Sequence, residues 1–430
     1  MSDKAPEAAA RFETPQYAWV VLIALYLASL TATLNMFKLP PVMTTLIDPE
    51  FSTLGLQYGH LGTLMSTFSI MGFLLAIPAG FILKRFGIKP TVLFAVATLA
   101  VGATIGAIAD SFNQLYLGRF IEGTGMGLVM VASPLTISMW FPMHNRALPT
   151  GLWATCIGIG NIVPLIFAPG IAAAHGWQSI WWAGVVFAAV AFVFFAIAYR
   201  DPRPEEVEAP PAPPPVSAGE PAPAPPSLFQ GMRNVNYWLI GIGFGTYNLV
   251  ILALVSFLPT YLENFRGYTR VVTDGSILMN ASIVTALIML ASVFTAPLGG
   301  SISDKLGKRK SVVLAIYAIM TVSMIGAFAY TGWQIPVFMI VFGVFGGPIA
   351  AILLASVPEV SKAPQLIGIG MACVAVCQNL GMFIGPTLFM AIVTAREGGA
   401  GVLENWAFAG YMMIPICIIG MLCIWRVKVR

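Results

Sequence analysis

Apolar residues run through this chain in long blocks rather than in alternation. Twelve blocks stand at about 17–46, 57–83, 90–109, 113–139, 147–174, 178–199, 236–262, 276–302, 311–330, 333–357, 365–394 and 405–425. About 20 helical residues cross the hydrocarbon of a bilayer, and each block is long enough to do so. Surrounded by lipid, such a block can close its own backbone hydrogen bonds only as a helix. The pattern predicts an all-α membrane protein of twelve transmembrane helices in two six-helix bundles. Pro78, Pro164, Pro259, Pro297 and Pro386 fall inside blocks, which membrane helices tolerate when neighbours satisfy the freed carbonyls.

Arg200 to Ser227 separates the sixth block from the seventh, and Pro recurs there among Ala and Glu. A stretch of that kind buries little and reads as an extended tether. The expected organisation is a tail over 1–16, a first bundle over 17–199, a linker over 200–235, a second bundle over 236–426 and a tail over 427–430. The two bundles also share a repeat. Gly80-Phe81-Ile82-Leu83-Lys84-Arg85-Phe86-Gly87 follows the second block, and Gly300-Ser301-Ile302-Ser303-Asp304-Lys305-Leu306-Gly307 follows the eighth, at a constant offset of 220. Duplicated bundles are a mark of transporters, whose sites lie between the halves.

Composition supports the membrane reading. Hydrophobic residues make up 58% of the 430 and charged residues 9%, whereas soluble domains carry about 25% charged residues. The net charge of +4 is scattered through short loops, so no basic surface for nucleic acid is expected. Of the 22 Lys and Arg, Arg266, Arg270 and Arg396 fall on one side of the membrane, and Lys38 and Arg119 lie inside blocks. The others share the opposite side, which the positive-inside rule makes cytoplasmic. Both termini and the linker are thus expected inside, with the protein in the cell (inner) membrane.

Catalytic chemistry finds little footing. His60, His144 and His175 lie far apart, no Asp falls mid-block, and no Gly-rich loop ends in Lys-Ser or Lys-Thr. Cys156, Cys373, Cys377, Cys417 and Cys423 lack metal-ligand spacing. An enzyme is not expected, nor a cofactor or metal. Lys38, Arg119 and Glu122 are the charges within the blocks. Intramembrane charges are costly and usually face a partner or a wet cavity. Arg119 and Glu122, three apart, share one helix face. Two readings stand: an anion site with Arg119 and Lys38 as donors and Glu122 as proton-coupling acid, or mutual neutralisation with Lys38 reaching the interface. Tyr247, Asn248, Gln378 and Asn379 are candidate substrate contacts in the second bundle, or interhelical hydrogen-bond formers.

The repeated loops resemble the G-x-L-x-D-R-x-G-R-K motif of the major facilitator superfamily. Gly80, Arg85 and Gly87 match in the first copy, with Lys84 where the acid belongs. Gly300, Asp304, Lys305, Gly307, Lys308 and Arg309 match in the second. Arg119-Phe120-Ile121-Glu122-Gly123, Trp140-Phe141-Pro142 with Arg146, and Gly176-Trp177-Gln178 are similar to further family motifs. The resemblance implies secondary transport by alternating access, with helices one, four, seven and ten lining the cavity. It also implies that the loop motifs gate the cytoplasmic face, Asp304 docking on a helix N-terminus of the opposite half. The cation in helix one and the Arg in helix four are similar to those of organic-anion symporters. Proton-coupled uptake of a small organic anion is therefore expected. Efflux of amphipathic compounds or antiport is the first alternative, and a non-transporting membrane sensor a remote one. The expected partners are the bilayer, the substrate and protons or another coupling ion.

Overall fold

The computed structural model describes residues 14–75, 78–142, 145–206, 232–271, 280–306, 309–361 and 366–427, apart from the side chains of 147, 204 and 297–306. Twelve helical segments follow the twelve blocks. The first half contains α1 (Tyr17–Phe37), α2 (Tyr58–Leu75, continued by Pro78–Phe86), α3 (Ile88–Ala107), α4 (Phe112–Trp140), α5 (Ala147–His175) and α6 (Gln178–Ala198). The second contains α7 (Val235–Phe265), α8 (Ala281–Leu306), α9 (Arg309–Ala329), α10 (Gln334–Gly346 and Pro348–Val360), α11 (Ile367–Thr394) and α12 (Leu403–Arg426). Among the described residues ten segments are apolar and long enough to cross a membrane, the two α2 helices, bent by 63°, are so when taken together, and α8 is apolar over Ala281–Ala296. The protein is a multi-pass membrane protein.

Lipid-facing helices invert the soluble pattern. On α6 the exposed side is Val186, Phe187, Val190, Val193 and Ile197, one helical stripe, while Gly184, Ala188 and Ala191 are buried. Where lipid is as apolar as the side chains, helices associate through close packing of small residues. Glycine makes the tightest of these contacts: a Cβ on Gly381 of α11 would lie 2.0 Å from the carbonyl oxygen of Gly245 on α7.

Hydrogen bonds between helix ends fix the two ends of the bundle. The Tyr17 hydroxyl donates to Ala198 O, joining the start of α1 to the end of α6. Asn234 Nδ2 donates to Val360 O, joining the start of α7 to the end of α10. This is the linker end. There, Arg200 donates to both Glu206 carboxylate oxygens, at 2.6 and 2.7 Å, and that hydrogen-bonded guanidinium pulls the Glu206 carboxyl down to about 2. At the far end, the close of α7 meets the close of α9 through Arg266 and Phe328 O.

The first block does not remain one straight helix. α1 stops at Phe37, a short 3-10 turn covers Pro40–Val42, and a five-residue helix follows over Met43–Ile47. Pro40 and Pro41 supply no backbone N–H, so Met36 and Phe37 lose the partners that would continue the ladder. That break delivers α1 into the centre of the chemistry.

Candidate functional site

α1 ends with carbonyl groups that have no intrahelical partners, and α4 supplies them. Arg119 Nη1 donates to Asn35 O at 2.6 Å, and its Nη2 donates to Met36 O at 3.1 Å. Arg119 therefore caps α1 from another helix, its cation set at the negative end of the helix dipole. Nη1 also donates to Glu122 Oε2 at 2.9 Å, the pair that spacing on one helix face allows. The other carboxylate oxygen, Glu122 Oε1, accepts from Lys38 Nζ at 2.5 Å. Lys38 Nζ donates to Asn35 Oδ1 at 2.8 Å, and Asn35 Nδ2 donates back to Thr31 O at 2.9 Å.

The cluster is dry. Lys38, Arg119 and Glu122 are 3%, 0% and 0% exposed. Aromatic faces cover what hydrogen bonds do not: the Lys38 ammonium lies 4.9 Å from the Trp181 ring and the Arg119 guanidinium 4.4 Å from the Phe68 ring. Among the described residues Arg119 Nε has no hydrogen-bond partner. The fit depends on two glycines. A Cβ on Gly102 of α3 would come within 2.7 Å of Glu122 Cγ, and one on Gly184 of α6 within 2.4 Å of Asn35 Oδ1. Two cations share one carboxylate, so the cluster with all three groups ionised carries one surplus positive charge. A buried charge of that kind is expensive unless something compensates it.

A few residues beyond Lys38 the chain crosses to the other half. Thr44 Oγ1 donates to Glu263 Oε2 at 2.7 Å. Arg270 Nε donates to the same oxygen at 3.2 Å, and Arg270 Nη1 donates to Thr45 Oγ1 at 3.4 Å. Asn264 Nδ2 donates to the Tyr58 hydroxyl at 2.9 Å, and Thr387 Oγ1 to Ser66 Oγ at 2.6 Å. These bonds join the halves towards the far end. Sequence reading missed Glu263, because its apolar block stops at 262 and the helix runs on to Phe265. Reading also passed over Asn161 of α5, which is fully buried with neither amide atom partnered among the described residues. An Asn inside an apolar block was the available signal.

The other expected site residues are dispersed. Tyr247 and Asn248 are buried on α7; Tyr247 stacks on Phe244 with centroids 6.2 Å apart, and Asn248 Nδ2 donates to Phe244 O at 2.8 Å. Gln378 and Asn379 are half-buried on α11. Asn379 Nδ2 donates to Ala375 O at 2.9 Å, and its Oδ1 faces Gly72 of α2, where a Cβ would lie 3.0 Å away. In the first loop copy Gly80 and Arg85 are exposed, and Gly87 has φ 83°, a value that favours glycine. In the second copy Arg309 pairs with Glu359 at 2.5 Å. Gly300, Asp304 and Lys305 lie on α8, but their side chains, like the whole of Gly307, fall outside the described residues. Among the described residues no three or more His, Cys, Asp and Glu side chains gather as metal ligands do.

Two six-helix halves, hydrogen-bonded to each other among the described residues and carrying a charged cluster inside the membrane, have the build of a polytopic transporter. The sequence profile of the Major Facilitator Superfamily matches residues 21–289 and 275–430, and the chain belongs to that family. It is 25% identical over 407 residues to the class G tetracycline resistance protein of Vibrio anguillarum, covering 92% of this chain and 95% of that protein. It is 24% identical over 282 residues to the nitrite extrusion protein of Bacillus subtilis (strain 168), covering 66% of this chain and 65% of that one. Among solved structures it resembles a bacterial homologue of the human lysosomal transporter Spinster, inward-facing and unoccupied. That likeness has a TM-score of 0.73 at 16% identity and covers 96% of this chain and 98% of the other. The fold is that of a major facilitator transporter for small molecules.

Proposed function

We propose that this protein is a secondary active transporter that takes up a small organic anion together with protons by alternating access. The observation that carries the reading is the surplus positive charge of Lys38, Arg119 and Glu122, buried beside the break in α1. Transport of an anion is the activity that such a charge serves, because the solute brings the compensating charge into the membrane with it. The solute-facing contacts of the second half would come from Tyr247 and Asn248 on α7 and from Gln378 and Asn379 on α11. The Lys and Arg asymmetry puts the linker end in the cytoplasm of a cell whose inner membrane holds the protein. On that orientation the bonds around Glu263 join the two halves near the outer face.

Uptake into proteoliposomes of a panel of carboxylates, with and without an inward proton gradient, tests the substrate class. Accumulation of at least one carboxylate, stimulated by the gradient, is expected. Accumulation of none, with transport of amphipathic compounds instead, would replace this reading by efflux; the similarity to the tetracycline resistance protein over most of both chains favours that as the second reading. Orientation is tested separately. A protease site introduced at Ala218 is expected to be cut only by protease on the cytoplasmic side, and cleavage from outside intact cells would invert the assignment.

A further inference from the structure

Charge counting within the cluster says more than that an anion would be welcome. Its three groups answer to different constraints. Arg119 is fixed: its two terminal nitrogens serve the carbonyls of Asn35 and Met36 as well as Glu122, and a guanidinium does not give up its proton in proteins. Glu122 holds a cation on each oxygen, Lys38 at 2.5 Å and Arg119 at 2.9 Å. Protonating Glu122 in place would leave both cations uncompensated, which worsens the imbalance. Lys38 is the group that can correct it. An ammonium that loses one proton leaves Arg119 and Glu122 as a neutral pair.

The surroundings of Lys38 fit such a change. Its Nζ touches side chains rather than backbone: Asn35 on its own helix, Glu122 on α4 and the Trp181 ring on α6. A neutral amine still donates to Asn35 Oδ1 and Glu122 Oε1 through its two remaining N–H bonds. The other charged groups on the elements packed around α1 lie elsewhere. Lys89 stands at the linker-end start of α3, and His175 is exposed at the close of α5. Lys38 also directly follows α1, where the chain leaves the helix for the strap that reaches Glu263.

We propose that Lys38 is the proton-carrying residue of the transport cycle, losing a proton when the site is empty and regaining it as the anion arrives. In the step one Nζ–H bond breaks, its electron pair stays on Nζ, and the proton leaves to water on the open side. The reverse occurs on loading, so one proton accompanies one unit of negative charge. This deepens the anion-symport reading and rests on it for the identity of the partner charge, but not for the titration of Lys38.

Two measurements separate those elements. In wild-type protein carrying 13Cε/15Nζ-labelled lysine, the Lys38 signal, assigned by its loss in Lys38→Arg and in Lys38→Gln, is expected to switch from ammonium to amine between mildly acidic and mildly alkaline buffer. A signal that remains ammonium throughout overturns the proposal whatever the substrate. In proteoliposomes, Lys38→Arg is expected to abolish gradient-driven accumulation of a transported carboxylate, because the cation is kept and its proton fixed. Gradient-driven accumulation as in wild type would also overturn it. If Lys38 titrates but wild type carries no carboxylate, the anion reading fails and the proton assignment stands.

Discussion

Glu122 and Glu263 are buried carboxylates held by the same short stretch of chain, and they are built on different plans. Glu122 is fully enclosed and holds two cations, one from α4 and one from the end of α1. Glu263, 7% exposed, holds one cation, Arg270, which is itself 32% exposed, and takes a neutral hydroxyl from Thr44 as its other donor. The first cluster has one ionisable cation too many and is sealed, and the second is balanced and open to water on its cationic side. The first lies within one half, whereas the second spans both. Lys38 and Thr44, the contributions of the strap, lie six residues apart. The difference teaches that one short segment joins a site whose charge is unsettled to a bond whose charge is settled. A change in the first has a direct mechanical route to the second.

The second half sharpens the contrast. At the offset of the loop repeat, 220, Lys38, Arg119 and Glu122 correspond to Leu258, Met339 and Phe342, all buried and all apolar. Duplication produced two bundles, and the charge resides in one. The first half is therefore expected to carry coupling, and the second the shape of the solute site.

The largest expected effect comes from removing the shared carboxylate. Glu122→Gln leaves Arg119, whose charge is fixed, without its carboxylate, and breaking a buried pair costs about 3–5 kcal/mol. Chemical unfolding in detergent should show a loss of that size, far beyond that of Glu263→Gln. Equal losses would erase the distinction between the sites. Next is Arg119→Lys, which keeps the charge but cannot serve two carbonyls and a carboxylate in one plane. Losing hydrogen bonds to a charged donor costs about 1.5–3 kcal/mol, and uptake should fall with stability. Gly184→Ala should cost about 1–3 kcal/mol by overpacking, since its methyl would meet Asn35 Oδ1 at 2.4 Å. Wild-type stability in that variant would mean that α6 does not brace the cluster.

Thr44→Val has the smallest effect on stability and the most specific effect on conformation. It removes one hydrogen bond between the halves, to a carboxylate that keeps its Arg270 partner, worth about 1.5 kcal/mol, the low end for bonds to charged groups. Labelling of single cysteines near the far end should rise severalfold, with global unfolding little changed. Unaltered labelling would show that the Thr44–Glu263 contact does not hold that face closed.

The fold was largely legible because membrane helices announce themselves by length and hydropathy. The blocks and helices agree apart from their ends and breaks. Those breaks are backbone events at Pro40, Pro41, Pro78 and the Gly347-Pro348 step, and hydropathy does not register them. Within the site, the Arg119–Glu122 pair was readable from its spacing of three on one helix. The approach of Lys38 to Glu122, 84 residues away, depends on how α1 packs on α4 and has no local signature. The use of Arg119 as a cap for α1 was equally hidden, because the recipients are backbone carbonyls of Asn35 and Met36. Glu263 falls just past the apolar block at 236–262, and hydropathy does not show that α7 runs on to Phe265.

The measurement that bears most directly on the account is proton movement during solute entry. Proteoliposomes holding a trapped pH-sensitive dye receive a carboxylate outside, under conditions where protein-free liposomes show no change. Internal acidification in step with uptake is expected, about one proton for each negative charge carried, and none in Lys38→Arg. Carboxylate entry with no proton movement in the wild-type protein would contradict it.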